Sequence, residues 1–284
     1  MIDVLLDAII DSVKLVPFLF ITYLIMEYIE HKTKDKTKKA IKKSGKFGPL
    51  IGSVLGVFPQ CGFSVSATNL YAARVITLGT LIAVYLSTSD EMLPIFLSEA
   101  VPAGKIFAIL GIKLVVGIIA GFIIDFVINL RNRGKVEEEK IIDLCEKEHC
   151  HCEHGIVRSA IKHTLSIFVF ILLVSVIINL GIHFIGEEHI SEFLQNKPVL
   201  GPLIAGIIGL IPNCASSVIL TQMYLENVIS VATMISGLLV GAGVGLAVLF
   251  KTNKGIKQNL QIVGLLYSIG VIAGIVIEFV GFKI

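Results

Sequence analysis

The sequence predicts an all-α polytopic membrane protein with about ten transmembrane segments, built from two copies of one unit in opposite orientations. Three observations lead to this prediction: the composition, an internal repeat and the distribution of Lys and Arg. Of the 284 residues, 55% are hydrophobic and 16% charged, with a mean hydropathy of +0.86. Soluble domains carry about 25% charged residues, so this chain cannot hide its apolar surface in one globular core. Because the alternation of a β-barrel is absent, we expect helical spans.

The apolar stretches define the expected spans. Six of them are long enough to cross a hydrocarbon layer of about 30 Å, which needs about 20 helical residues. Two more are apolar but interrupted. The first stretch lacks a basic start and a cleavage site, so we expect a retained span rather than a signal peptide. The six are residues 5–28, 75–97, 106–130, 163–185, 227–250 and 260–282, and the interrupted two are residues 47–71 and 200–224.

An internal repeat organises the chain. A shift of 153 residues aligns GPLIGSVLGVFPQCGFSVSATNLY, from Gly48, with GPLIAGIIGLIPNCASSVILTQMY, from Gly201, and 11 of the 24 positions are identical. The same shift aligns GIIAGFIIDFV, from Gly117, with GVIAGIVIEFV, from Gly270, with 7 of 11 identities. Two related hydrophobic halves are typical of secondary transporters. The predicted division is a first membrane repeat at residues 1–130, a linker at 131–158 and a second repeat at 159–284.

The basic residues predict the orientation of the two copies, because Lys and Arg collect in cytoplasmic loops. Residues 32–46 contain eight lysines, whereas the corresponding GEEHISEFLQNK in the second copy is acidic. This places the N-terminus outside, the linker in the cytoplasm and the second copy inverted. Each half then needs an odd number of crossings. We therefore expect three full spans per half, plus an interrupted segment that enters and leaves on one side as a broken or re-entrant helix pair.

The interruption at GVFPQCGFSV predicts a binding site. The preceding residues 48–58 form about 16 Å of helix, roughly half the membrane. Pro59 then removes an amide donor, and non-helical backbone at that depth is tolerated only where protein or a water-filled cavity satisfies it. The alternative is that Pro and small residues only kink and pack the helices, with Cys as an inert apolar residue. Repetition of Pro, a carboxamide, Cys and Ser in both copies favours the site.

The residues after each proline form a polar stripe. Cys61, Ser64 and Thr68 share one helical face, followed by Asn69, and the second copy repeats this with Gln222 at the last position. A thiol at a helix N-terminus is favoured as the thiolate. We expect the two stripes to face each other at the bilayer centre. The predicted substrate-binding residues are Cys61, Cys214, Gln60, Asn213, Ser64, Ser217, Thr68, Thr221, Pro59 and Pro212.

Charged residues within the spans are candidates for coupling or gating. Asp90 and Glu91 have no acidic counterpart in the second copy, and carboxylates inside a span are costly and usually functional. The alternative is a wetted helix end. Lys113, in the next span, is suited to pair with one of them, either closing an external gate or carrying a coupling proton. Asp125 and Glu278 are equivalent by the repeat, and we expect them at the membrane interface.

The linker contains CEKEHCHCEH, which concentrates thiols and imidazoles. These ligands suit soft or borderline ions, but their spacing is too tight for an ordinary structural zinc site. We expect a flexible segment that collects or senses metal, the alternative being a merely polar linker. No permanently bound cofactor is expected, only a transported or regulatory metal ion. The candidate metal ligands are Cys145, His149, Cys150, His151, Cys152 and His154.

Together these segments resemble the ten-transmembrane heavy-metal exporters, a family labelled arsenic efflux or manganese transporter. The resemblance is carried by FPQCGFSVSATNLYAARVITLGTLIAVYLSTSDEMLP, IPNCASSVILTQMYLENVIS, the opening DSVKLVPFLFITYLIMEY and the Cys/His linker, and covers nearly the whole chain. It implies export of a metal or metalloid across the cell membrane. The thiols fit manganese poorly, because that ion prefers oxygen ligands.

The expected function is therefore secondary-active export, with no enzymatic activity, of a soft ion such as As(III), Zn, Cd, Ni or, less well matched, Mn. The expected partners are the lipid bilayer and the transported ion or solute, not nucleic acid. No phosphate-binding GxxxxGK[ST] motif is present, so the energy should come from an ion gradient or a separate subunit. Two alternatives stay open: a permease for a small organic or oxyanion solute, and a membrane-embedded metal sensor.

Overall fold

The computed structural model of the protein is helical throughout the part of the chain that it describes. That part comprises scattered positions between residues 10 and 24, and residues 47–58, 61–89, 91–131, 156–185 and 199–281. Its helices are α1 (Gly48–Gly56), α2 (Cys61–Ala72), α3 (Leu78–Ser87), α4 (Met92–Ser98), α5 (Ala103–Arg131), α6 (Ile156–Ile185), α7 (Leu200–Gly209), α8 (Ala215–Leu225), α9 (Val231–Val240), α10 (Gly245–Thr252) and α11 (Ile256–Val280).

The two interrupted segments are each divided into two short helices, as predicted from their prolines. Helix α1 ends before Pro59 and α2 follows it, while α7 and α8 flank Pro212 in the same way. Proline has no backbone N–H to donate to a helical hydrogen bond, and it disfavours helix at the preceding residue. The local sequence therefore accounts for each break. Each of these helices, at 9 to 12 residues, is too short to cross the hydrocarbon layer alone.

Three uninterrupted helices confirm the predicted spans at residues 106–130, 163–185 and 260–282. Helices α5, α6 and α11 are 29, 30 and 25 residues long. Their outward faces carry large exposed apolar side chains, among them Phe107, Ile177 and Phe279. Such faces suit a hydrocarbon solvent, where helices need no polar exterior.

Two further predicted spans are interrupted, which corrects the expectation of continuous helices at residues 75–97 and 227–250, while the predicted span at residues 5–28 lies largely outside the described residues. The first is divided into α3 and α4 around residues 88–91, and the second into α9 and α10 around residues 241–244. Each stretch still has the length and composition of a candidate membrane span. The sequence at the breaks is Thr-Ser-Asp-Glu in one case and Gly-Ala-Gly-Val in the other. These residues permit unwinding but do not impose it as proline does.

The helices pack in two groups that contact each other through the interrupted spans. Helices α1, α3 and α5 pack together, as do α7, α9 and α11, and α3 contacts α9 between the groups. Helix α2 lies along α10, and α8 lies against α4. Close approach requires glycine at Gly56 and Gly209, where a Cβ would lie 2.1 Å from the Ser87 Oγ atom and 2.3 Å from the Gly237 carbonyl oxygen. These two glycines serve helix packing.

Candidate functional site

The break between α7 and α8 places a carboxamide and a thiol in the protein interior. Residues 210–214 form turns and bends around Pro212, and Cys214 is the N-cap of α8. The carbonyl of Cys214 accepts the amide of Ser217 at 3.0 Å. The side chains of Asn213 and Cys214 are buried, at 4% and 6% exposure. The thiol is therefore enclosed by protein at the positive end of a helix.

The break between α1 and α2 follows the same plan. Helix α2 begins at Cys61, which confirms the predicted place of this cysteine at a half-helix N-terminus. Pro59, Gln60 and the side chain of Cys61 lie outside the described part of the structure. Their contribution to a binding site stays a prediction.

Each predicted stripe contains a buried threonine whose hydroxyl donates to its own helix. Thr68 donates to the Ser64 carbonyl at 2.7 Å, and Thr221 donates to the Ser217 carbonyl at 2.6 Å. All four side chains are buried. A hydroxyl that commits its proton to the backbone still presents oxygen lone pairs. Each stripe therefore holds acceptor oxygens in the protein interior.

Thr68 also connects the first half of the chain to the second. Its hydroxyl lies 2.6 Å from the Tyr85 hydroxyl, and both lie 3.2 Å from the carbonyl oxygen of Gly245, the first residue of α10. A Cβ on Gly245 would come within 2.9 Å of the Ser64 Oγ atom, so glycine permits this approach. Sequence reasoning did not find Tyr85 or Gly245, because their partner is far away in the chain.

The helices that carry the stripes each contact a helix of the other half, and the expected face-to-face arrangement of the stripes stays a prediction. The principal partner of α2 is α10, where the Thr68 hydroxyl donates to the Gly245 carbonyl, whereas α8 packs on α9 of its own half as well as on α4. The two halves still meet near the thiol, because Cys214 and Val65 belong to one apolar cluster with Tyr23 and Val244. The structure thus places Cys214 in one apolar cluster with a residue of α2, and the assembly of the other predicted residues into one site stays a prediction.

Lys113 is wholly buried in α5, at 0% exposure. Its ammonium group donates to the carbonyl of Leu238 at 2.7 Å and to that of Thr88. Thr88 is the C-cap of α3, and Leu238 lies in the last turn of α9. Helix C-termini carry partial negative charge and carbonyls without helical partners, so one ammonium stabilises both ends. The predicted pairing of Lys113 with Asp90 or Glu91 stays a prediction.

Glu91 lies at an interruption and not within a continuous helix. It is the half-buried N-cap of α4, next to the α3–α4 break. The structure therefore places this carboxylate at an unwound point of a candidate span. Its predecessor Asp90 lies outside the described residues.

Asp125 and Glu278 bind the starts of the interrupted spans. Asp125 accepts the Thr77 hydroxyl at 2.7 Å and the Gly79 amide at 2.9 Å, at the N-terminus of α3. Glu278 accepts the Ser230 hydroxyl at 2.6 Å, at the N-terminus of α9. Carboxylates at helix N-termini are stabilising. This structural role accounts for both residues.

The sequence matches a known family over residues 1–187, and the description of that family is "Putative, 10TM heavy-metal exporter". The chain belongs to this exporter family. No curated protein and no solved structure matches the chain. The match includes the first interrupted segment, Lys113 and the Cys/His linker.

The exporter family's ten segments can be reconciled with the helices of the structure. In the described residues, five stretches are long and apolar enough to span a membrane. The four helices that flank the proline breaks, α1, α2, α7 and α8, and the predicted N-terminal span provide the others. This count treats each of the four short helices beside a proline break as one segment.

The predicted metal-collecting tract, residues 145–154, lies outside the described part of the structure. Within the described residues, no group of three or more His, Cys, Asp or Glu side chains could hold a metal ion. The role of the tract stays a prediction.

Proposed function

We propose that this chain is a secondary-active transporter that exports a soft metal or metalloid by alternating access. Membership of the exporter family supports transport of a heavy metal. The observation that carries the finer proposal is the buried thiol of Cys214 at a proline break in the protein interior. Thiolate ligands select soft ions, and a helix N-terminus favours the thiolate.

The proposal includes two repeats in inverted orientation. Several features of the two halves support a common plan: the packing of α1, α3 and α5 resembles that of α7, α9 and α11, and the crosswise contacts α2–α10 and α8–α4 correspond. The left-handed residues Arg74 and Asn227, which follow the ends of α2 and α8, are also equivalent by the repeat. The Lys-rich segment at residues 32–46 supports an external N-terminus and a cytoplasmic linker.

In this proposal the linker collects the ion and the interior thiols bind it. Cys61 and Cys214 are the principal ligands, and the carboxamides and hydroxyls beside them assist. Inverted repeats bring the broken segments to one site that opens alternately to each side. The assisting residues are Gln60, Asn213, Ser64, Ser217, Thr68 and Thr221.

In this proposal, the residues at the α3–α4 break couple transport to a proton. Asp90 and Glu91 are carboxylates at this point of the chain, and Lys113 contacts the carbonyl of Thr88 beside it. A proton on a carboxylate at this position would alter the charge that the buried ammonium faces. This coupling is consistent with the lack of a phosphate-binding loop.

The test is uptake into inside-out vesicles that contain the purified full chain, with As(III), Zn, Cd, Mn and Ni as probes. We expect uptake of at least one soft ion, and a loss of at least tenfold in the double variant Cys61→Ser, Cys214→Ser. The matched control is Ser268→Ala, because Ser268 is exposed on α11 and donates to its own helix. A triple Cys→Ser variant at 145, 150 and 152 measures the contribution of the linker separately.

Each alternative gives a different result. Unchanged soft-ion uptake in the double cysteine variant would contradict the thiol site. A permease for an organic or oxyanion solute would move such a solute and none of the ions. Ion binding to the protein without net flux would indicate a sensor. Ser268→Ala should match the wild type in every assay.

A further inference from the structure

Asn69, in the last turn of α2, is a buried amide without a hydrogen-bond partner. Its side chain is 1% exposed. Within the described part of the chain, neither its Nδ2 nor its Oδ1 atom has a partner, and it alone has unpartnered buried side-chain atoms. The buried Asn259, by contrast, donates to the carbonyl of Asn253 at 2.8 Å and accepts from its amide at 2.7 Å.

An unpaired buried amide is unfavourable, so this position requires an explanation. Nine in ten or more buried polar groups in proteins are hydrogen-bonded. Leucine has a similar shape, forms helices better than asparagine and has no polar atoms to satisfy. An Asn here is therefore explained by a partner that binds it during function.

The position of Asn69 places it at the interior where the two halves meet. It lies one helical turn from Val65 on the same face of α2. Val65 belongs to the apolar cluster that contains Cys214 and Val244. The next residue toward the N-terminus, Thr68, is hydrogen-bonded to Tyr85. The unpaired amide is thus about 6 Å along the helix from a residue packed in the same cluster as the thiol.

We propose that Asn69 is a substrate-specificity residue, and that the substrate is a small neutral hydroxylated species, such as arsenous acid, rather than a bare divalent cation. Both amide atoms lack partners: Oδ1 needs a donor and Nδ2 needs an acceptor. A hydroxyl group supplies both. A metal cation binds Oδ1 only, and its charge repels the partially positive NH2 group. This inference rests on the proposed transport function and names the form of its substrate.

The experiment compares arsenous acid with Cd²⁺ in the inside-out vesicles at neutral pH. For Asn69→Leu we expect at least a tenfold loss of arsenous acid uptake. For Asn69→Asp, which keeps an acceptor but loses the donor, we expect the uptake ratio to shift toward Cd²⁺ by at least tenfold. The control is Ser268→Ala, because Ser268 is exposed on α11 and donates to its own helix. It should leave uptake within about twofold.

A second measurement separates a specificity role from a structural one. If the amide is unpaired without substrate, Asn69→Leu should melt at the wild-type temperature or several degrees above it, since it removes an unsatisfied buried group. If a water or another segment satisfies the amide, the variant should melt lower, which overturns the inference. Melting is measured on full-length protein without substrate.

The outcomes also distinguish this inference from the proposed function. Wild-type protein that moves none of the probes refutes both. Wild-type protein that moves Cd²⁺ but not arsenous acid refutes this inference and leaves soft-ion export standing. The same holds if Asn69→Leu retains arsenous acid uptake within twofold, or loses both fluxes equally. If Asn69→Leu does not fold, the ratio in Asn69→Asp decides.

Discussion

Replacement of Lys113 by Met tests whether one ammonium holds two helix ends together. Met keeps a long unbranched side chain but has no charge. In the variant, the carbonyls of Thr88 and Leu238 lose their donor in a site that is fully buried. Because one carbonyl belongs to each half of the chain, we expect the contact between α3 and α9 to weaken.

The size of the effect follows from the two hydrogen bonds. A bond to a charged group contributes about 1.5–3 kcal/mol, so two lost bonds remove about 3–6 kcal/mol. Met also avoids the cost of burying an ammonium, which offsets part of the loss. We expect a net loss of about 2–4 kcal/mol in the free energy of unfolding. At about 2–4 °C per kcal/mol, the melting temperature should fall by about 4–16 °C.

The assay is thermal labelling with a thiol-reactive dye in detergent. The linker cysteines are replaced by Ser, so that labelling on heating reports exposure of buried Cys214 together with Cys61. The matched control is Leu266→Met, because Leu266 is the buried repeat counterpart of Lys113 and this exchange conserves volume. We expect a shift of less than about 1.5 kcal/mol in the control.

A rescue experiment then identifies the charge as the cause. Lys113→Ala leaves room for the missing side chain, so added n-propylammonium should restore part of the melting temperature, whereas neutral n-propanol should not. If Lys113→Met melts like Leu266→Met, or if propanol restores stability as well as propylammonium, the ammonium does not stabilise the helix ends and the reasoning fails.

Two further predictions concern the helix contacts that frame the site. Gly56→Ala should lower the free energy of unfolding by about 1–3 kcal/mol, because its Cβ would lie 2.1 Å from the Ser87 Oγ atom. The control is Gly264→Ala, which should leave the free energy of unfolding unchanged because nothing lies within 4 Å of the added Cβ. Equal melting temperatures for the two variants would contradict the close approach at Gly56. Thr77→Ala and Asp125→Ala should each cost about 1–2 kcal/mol. Their double-mutant cycle should show a coupling of at least about 0.5 kcal/mol, and strict additivity would argue against the capping pair.

The proline breaks were predictable from sequence because their cause is local. A proline ring removes one donor and clashes with the preceding turn wherever it stands in a helix. The repeat then showed that both halves carry the break in register. For the same reason the long helices α5, α6 and α11 were predictable, since length and hydropathy alone define a span.

The breaks at residues 88–91 and 241–244 were not predictable, because their partners are distant in the chain. Ser, Thr and Gly occur in continuous membrane helices, so their presence does not require a break. The unwound backbone after α3 is stabilised by two contacts with residues that are distant in the chain. The Lys113 ammonium donates to the Thr88 carbonyl, and the Ser89 hydroxyl donates to the Val57 carbonyl at 2.5 Å. The crosswise packing of α2 on α10 depends on the same long-range contacts.

The four breaks separate opposite charges in the interior, and this separation bears on the substrate. The C-termini of α3 and α9 are negative ends and share the ammonium of Lys113. The N-termini of α2 and α8 are positive ends. Cys61 is the first residue of α2, and Cys214 is the N-cap of α8. A bare cation at the thiols would be repelled by the positive helix ends, at a cost of about 0.3–2 kcal/mol. At the negative helix ends, the cation would compete with the ammonium of Lys113. A neutral hydroxylated metalloid meets neither penalty, and the positive ends favour the thiolate that binds it. The charge arrangement thus favours the same class of substrate as the unpaired amide of Asn69, although the two observations concern different atoms.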